Sequence, residues 1–489
     1  MVRLSLRGAT SLFFDEGGEC NLWIKLYICK MKNLKLNYMK RFLMMFAVVL
    51  AVLGVGTACD DKPVEVPEVE KFLEVSPATI NAKDMAGEYT FEVKASHAWT
   101  AECESDWVKV RKIWGPEGTH TVTVAVETTQ ETSKRTATIV VSSEKAELTK
   151  QVKLTQAAVS AERLENRKIY YTTTDGKTIK PLNPYNVFNG PTIASNKYEN
   201  GQGVMTLTSE VIEIGTFAFS EFETLVSMKL PKSVKVVGYN TFLGNPNMTS
   251  IELNEGLESI DVMAFARCLK LTVVKIPQSV TKMGMAPFAM CPALERFEGK
   301  FAVGEGRYLV YNKELIGFAP AGMTECVVPD GVVAIQQEVL KECRELTSVK
   351  LPEGLTRIEV SSLRNCESLQ AIEFPASITQ LGMGAFHGCK SLTSVVLPEK
   401  LTVVEMSLFE GCSSLAEVEI GSKVTLIEGD AFAECALTTV VCKAATPPAT
   451  EWNTFGNAPA ELVIKVPAAS VAAYKAAECW KDYTIVAIE

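Results

Sequence analysis

Residues 346–366 read LTSVKLPEGLTRIEVSSLRNC and residues 367–389 read ESLQAIEFPASITQLGMGAFHGC; the two strings carry the same marks in the same places. In the first, Leu346, Val349 and Leu351 follow a short strand, Pro352 stops it, and Leu355 and Ile358 mark a second extended piece. A tighter segment then puts Leu363 and Cys366 on one face at i, i+3, as one turn of helix does, and the cycle restarts at Leu369.

Outward from this pair, the marks recur every 23 residues from about 210 to 442. Phe219, Phe242, Phe265 and Phe288 stand one period apart, and after an interruption Leu340, Leu363, Phe386, Phe409 and Phe432 resume the spacing. Leu230, Leu253, Ile276, Val328, Leu351, Phe374, Leu397 and Ile420 form a second column, usually followed by Pro. A third is cysteine: Cys268, Cys291, Cys343, Cys366, Cys389, Cys412 and Cys435. One such unit cannot bury its own apolar face but a stack can, so the period predicts a solenoid with internal ladders. With strands ~4.8 Å apart, roughly ten coils give a body on the order of 50 Å long.

The cysteine column has an odd number of members and no CxxC spacing, which argues against a metal ladder or a complete set of disulfides. Neighbouring coils would still bring Cα atoms within disulfide range. The expectation is buried free thiols acting as small apolar residues. His97, His120 and His387 are scattered, and no cofactor or metal is expected.

Between the inward residues of each first strand the outward position runs Lys229, Glu252, Lys275, Glu298, Val327, Lys350, Glu373, Val396 and Glu419. Opposite charges on adjacent strands attract, so this row reads as a self-neutralising ladder. It reads equally as a flat recognition face, on which Lys350 and Glu373 are candidate ligand residues beside Ser250, Ser348, Ser394 and Thr439. The gap from Phe288 to Leu340 is 52 residues, and within it Arg307-Tyr308-Leu309-Val310 and Leu315-Ile316-Gly317-Phe318 flank Tyr311-Asn312-Lys313-Glu314 as strand, turn and strand. A hairpin-like insert at about 299–325 would then carry Tyr308, Tyr311 and Phe318 as a protruding aromatic site.

Ahead of the solenoid, residues 72–158 alternate in short runs: Tyr89, Phe91, Val93; Trp107, Val108, Val110; Val122, Val124, Val126; Ala137, Ile139, Val141; Val152, Leu154. These are strands at sandwich-like intervals. Trp99 and Trp107 are expected in the core, whereas Trp114, beside Gly115 and Pro116, reads as a loop residue able to stack on a sugar. The fold class is mainly β, an Ig-like β-sandwich followed by a solenoid.

Lys40 and Arg41 precede an apolar run of 14 residues, 42–55, and then Gly56-Thr57-Ala58-Cys59. The run is too short to span a bilayer and has the layout of an export signal. Residues 1–38 read as a misassigned upstream start, 39–58 as the signal, 59–71 as a Pro- and Glu-rich tether, 159–209 as linker and N-terminal cap, 210–442 as repeats and 443–489 as C-terminal cap. The net charge of -9 excludes a nucleic-acid partner, whose phosphates demand a basic face.

Leu381-Gly382-Met383-Gly384-Ala385-Phe386-His387-Gly388-Cys389-Lys390-Ser391-Leu392 resembles the BspA-like leucine-rich repeat family. Ala98-Trp99, Ser105-Asp106-Trp107-Val108 and Leu154-Thr155-Gln156-Ala157 are similar to the BACON domain. Residues 39–59 resemble a bacterial lipoprotein signal that makes Cys59 the lipid-bearing N-terminus, and Asp60-Asp61 resemble a surface-export signal of Bacteroidetes lipoproteins. These resemblances imply a non-catalytic, surface-exposed outer-membrane lipoprotein that binds host or microbial surface and matrix proteins through the solenoid. They leave a second reading, glycan binding by the sandwich, and imply membrane contact through the lipid alone.

Overall fold

A computed structural model describes residues 70–182, 187–456, 458–459 and 461–489. The upstream start, the signal with Cys59 and nearly all of the tether lie outside the described residues.

The alternating runs form the expected sandwich. Nine strands, β1 (Leu73–Ser76), β2 (Thr79–Ala82), β3 (Gly87–Ala95), β4 (Trp99–Glu102), β5 (Val108–Val110), β6 (Trp114–Gly115), β7 (Gly118–Val126), β8 (Arg135–Ser143) and β9 (Leu148–Gln156), make two sheets, ordered β1-β3-β7-β5 and β2-β9-β8-β4-β6. Phe91, Val93, Trp99, Val122, Val124, Ile139, Val152 and Leu154 meet in the core between them. Trp107 is partly buried, with the Arg135 guanidinium 4.3 Å from its ring centre. Trp114 lies in strand β6, not in a loop, and Gly115 beside it faces the Trp99 ring. A Cβ at position 115 would lie 2.6 Å from that ring, so the sheet closes over Trp99 only with glycine there.

A short helix, α1 (Ala161–Glu165), joins the sandwich to the solenoid, and Ser160 Oγ caps it by accepting from the Arg163 N–H at 3.3 Å. Arg163 is buried and holds both sides: its Nε donates to Glu210 at 2.7 Å, and Nη1 donates to the Thr129 carbonyl at 3.1 Å and to Asp84 at 3.4 Å. The Asp84 carboxyl is held below its ordinary value, first by the Ser160 N–H and then by Arg163. Next, β10 (Lys168–Thr173), β11 (Ile193–Glu199) and β12 (Gln202–Leu207) form an antiparallel cap, whose β10 pairs with Leu225–Lys229 of the first coil. This covers the strand edge that the stack would otherwise expose.

Each coil consists of two short parallel strands and one turn segment, in a register that advances by one period. The first strands align Cys326, Val349 and Ile372; the second strands align Ile214, Val237, Ile260 and Met283. Glycine before the turn, as at Gly284 and Gly382, lets backbones touch: a Cβ there would lie 2.2 and 2.6 Å from the nitrogens of Val262 and Val360. The phenylalanines stack as internal ladders, with centroids 5.1–5.7 Å apart from Phe219 to Phe288 and 5.3–5.8 Å apart from Phe386 to Phe455. Tyr474 and Trp480 cover the far end, and their side chains donate to the carbonyls of Ala444 and Pro448.

The turn segment is not a turn of helix, as its i, i+3 spacing suggested. Residues two before and two after the ladder position sit in the left-handed region: Asn240, Met263, Ser361, Ser407 and Asp430 on one side, Glu221, Arg267, Asn365 and Glu434 on the other, all with φ between 50° and 60°. This alternation aims every second N–H along the stack. Ser407, Phe409 and Gly411 donate to the carbonyls of Gly429, Ala431 and Ala433 at 2.9–3.0 Å, and the same three-bond stitch joins the other neighbouring turns. The left-handed backbone costs something at each non-glycine position, and the stitch repays it by satisfying buried donors and acceptors.

The thiols belong to the same scheme. Cys268, Cys291, Cys366, Cys389, Cys412 and Cys435 each donate to the carbonyl of the ladder residue in the preceding coil, at 3.2–3.4 Å. Asn245 holds the column one coil earlier and makes the equivalent bond to Phe219 at 2.8 Å. The cysteines are free, and burial pushes the Cys291 thiol up to about 12.

Candidate functional site: a strand face, a cleft and a groove

The outward row of the first strands is exposed as its alternation requires, and two of its members, Val327 and Val396, are apolar at 48% and 60% exposure. It is not a continuous charge ladder. Lys229 does pair with Glu252, at 2.5 Å, but Lys275 turns to Glu255 at 3.4 Å, and Lys350 turns back to Glu325 at 2.6 Å rather than forward to Glu373. Each lysine takes the carboxylate its long chain reaches most easily, and at this exposure the pairs are worth ~1 kcal/mol or less. The row is a flat face of mixed charge with apolar gaps.

The insert does not protrude. Glu314–Phe318 runs antiparallel to Tyr308–Tyr311 and then parallel to Ala334–Ile335, so the hairpin takes the place of second strands within the stack. Its side chains point both ways into the interior. Leu309 and Ile316 join the core running from residue 169 to 319, while Tyr308, Leu315 and Phe318 join the one running on to residue 485. Tyr308 is therefore a core residue, 7% exposed, whose hydroxyl accepts the Val327 N–H at 3.0 Å. Phe318 is buried too, and Tyr311, half-buried, donates to the Thr281 carbonyl at 3.0 Å. The aromatic site expected here is absent because a two-sided strand has no free face.

What the hairpin opens instead is a cleft on the turn side of the solenoid, because its coil carries no turn segment. The cleft encloses about 580 Å³, within the range of ligand sites. Phe288, Pro292, Phe318 and Pro320 give it apolar walls, and Arg267, Lys341, Glu342 and Arg344 line it with charge. Arg344 is paired to Glu342 at 2.8 Å and Lys341 to Glu338 at 2.9 Å, whereas Arg267 makes no ion pair among the described residues. Burial works against the Glu342 carboxylate, but hydrogen bonds from Asn365 and Arg344 outweigh it and hold the group below its ordinary value.

On the sandwich, Trp114 is 60% exposed and lines a shallow groove with Ile113, Glu102, Glu104 and Val110. An open indole face beside carboxylates can stack on a sugar ring and accept from its hydroxyls. Among the described residues no group of three His, Cys, Asp or Glu side chains could hold a metal ion, and no helix is long and apolar enough to cross a membrane. The cleft was not visible in the sequence, since residues from Arg267 to Arg344 meet in it, and the Glu102–Glu104 side of the groove follows only from the pairing of β4 with β6.

The comparisons agree with this architecture. The BspA type leucine rich repeat model matches residues 192–305 and 317–443, skipping nearly all of the hairpin, and the BACON domain model matches residues 97–157. A leucine rich cell surface protein from Faecalibacterium prausnitzii A2-165 is similar at 28% identity and a TM-score of 0.45, over 53% of this chain and 64% of its own. This chain thus spans less than two thirds of that relative. The pneumococcal vaccine antigen PcpA is similar in fold at 19% identity and a TM-score of 0.51, over 58% and 72% of the two chains. A leucine-rich repeat protein from Bacteroides ovatus ATCC 8483 is 20% identical over 61% and 91%, with a TM-score of 0.26. No curated protein matches the chain. The protein is a BspA-type leucine-rich repeat protein with a BACON domain ahead of its repeats.

Proposed function

We propose that this protein is a cell-surface lipoprotein whose solenoid binds other proteins without chemistry, with the sandwich as a spacer. The observation that carries the reading is the strand face: each first strand adds one outward position to a flat, ordered row, exposed except at the half-buried Glu298 and Glu419, and Val327 and Val396 give that row dry patches between charges. The Faecalibacterium protein's description as a cell surface protein supports the location. An anchor at Cys59, facing outward from an outer membrane, would set the row toward host or microbial matrix proteins.

Full-length protein carrying Val327→Glu, Lys350→Glu and Val396→Glu should lose binding on an array of matrix and surface proteins while keeping its fold. Retained binding would remove the strand face from the proposal. Palmitate labelling that is equal in wild type and Cys59→Ala would remove the anchor.

A second reading rests on the Trp114 groove, in which the sandwich binds carbohydrate. It predicts glycan-array binding that disappears in Trp114→Ala and is untouched by the triple substitution.

A further inference from the structure

The stitch between turn segments has a missing rung. In the intact stack each turn donates three N–H groups to the next turn and accepts three from the one before. The turn at Phe288 accepts normally: the N–H groups of Met263, Phe265 and Arg267 reach the carbonyls of Met285, Pro287 and Ala289 at 2.8–3.0 Å. Among the described residues its own onward donors, the N–H groups of Ala286, Phe288 and Met290, find no acceptor, because the next coil is the hairpin. On the far side the turn at Leu340 donates normally to Val360, Ser362 and Arg364, but the carbonyls of Gln337, Val339 and Lys341 receive no donor from the described residues. Consistently, Cys343 is the column cysteine with no ladder carbonyl to meet, since 26 residues before it stands Gly317 of the hairpin.

Three unpaired donors on the Phe288 turn and three unpaired acceptors on the Leu340 turn thus stand on the two turns that the hairpin separates. Phe288, Met290, Val339 and Lys341, which belong to these turns, all line the cleft. Buried or half-buried backbone groups left unpaired are a standing cost that a ligand of matching geometry removes. The matching geometry is on view in every other coil: a seven-residue segment with alternating left-handed residues and one large apolar side chain at its centre, laid against its neighbours as in other modes of backbone addition.

We propose that the cleft binds a segment of a partner protein that pairs as the missing turn would, with a large apolar side chain against the Pro292 and Pro320 wall and an acidic residue toward Arg267. The charge preference rests on Arg267, which makes no ion pair among the described residues, whereas Lys341 is paired to Glu338 and Arg344 to Glu342 and Glu367. The proposal rests on the reading of the solenoid as the binding module and gives it a second, sequence-selective site on the side away from the strand row.

The probe is a labelled, end-capped peptide with the sequence of residues 405–411, Glu-Met-Ser-Leu-Phe-Glu-Gly, which in its own place makes the full stitch to both neighbours and carries two acidic residues. Fluorescence anisotropy with the full-length chain should show saturable binding. N-methylation at the phenylalanine, which removes the donor aimed at the Val339 carbonyl, should weaken it about tenfold. N-methylation at the methionine, whose N–H makes no backbone bond to a neighbouring turn, should not. Replacing the peptide phenylalanine by alanine, or Arg267→Glu in the protein, should each weaken binding about tenfold. No saturable binding, or equal loss at the two methylated positions, would overturn the proposal. So would self-association of the chain that the peptide competes away, which assigns the cleft to a second copy. The triple strand-row variant separates the two readings: it should bind the peptide as well as wild type does, so loss of the matrix partner with peptide binding intact speaks against neither.

Discussion

The turns at Phe386 and at Phe288 have the same length, the same stacked ring and the same pair of left-handed residues, yet one is stitched along both edges and the other along one. The difference lies in the neighbour, not in the turn. A repeat therefore has no fixed stability of its own. Most of it belongs to the interfaces, and a single hairpin can remove one interface while the ladders on either side remain.

Five substitutions sharpen that comparison. Phe386→Ala empties a ladder site between a stacked ring and a full turn and should cost about 3–5 kcal/mol by denaturant unfolding, whereas Phe288→Ala, whose ring meets the tilted Phe297 ring beside the hairpin, should cost about 2–3 kcal/mol. Equal losses would mean that the cleft wall is as tightly packed as the ladder. In the thiol column, Cys412→Ala removes both volume and a donor to the Phe386 carbonyl and should cost about 1–2 kcal/mol. Cys343→Ala, which gives up no such bond, should cost less than about 1 kcal/mol. At the bottom of the scale, Lys350→Ala breaks an exposed pair with Glu325 and should leave the denaturation midpoint unchanged.

The thiols also set a pH dependence. Burial raises Cys291 to about 12, and Cys268, Cys366 and Cys412 well above the ordinary value of 9.0. Below the unfolded value both states keep the proton and stability is constant. As pH rises from about 9 toward 12, the unfolded chain releases protons that the folded one retains, and stability falls. The denaturation midpoint should drop between pH 8 and pH 10.5, and drop less in Cys412→Ala. A Tyr or Lys contribution of equal size would leave that variant's slope unchanged.

How much of this was legible follows the same line between repeat and neighbour. The Phe, Pro and Cys columns located the coils, the ladders and the free thiols, because each coil sees an environment made by copies of itself. The left-handed positions were legible too, in Asn240, Gly384 and Asp430, residues that accept positive φ, but i, i+3 spacing favoured a helical turn instead. Asn245 was hidden because its role is shared with cysteine through a hydrogen bond and not through size. Tyr308 and Phe318 read as exposed because a hairpin normally has an outer face, and here both faces meet core. The cleft needed an account of where every backbone donor goes, which residue types do not record.

The hairpin also divides the interior. Residues on one side of Glu314–Phe318 pack only toward the N-terminal core and those on the other only toward the C-terminal one, with this single strand pair as their common wall. In a chain of nearest-neighbour couplings, that wall is the weakest link: cooperativity that would otherwise run the length of the stack is interrupted there, and each half forms its own foldon. Amides in the two halves should then exchange through separate opening events, one on either side of residue 316.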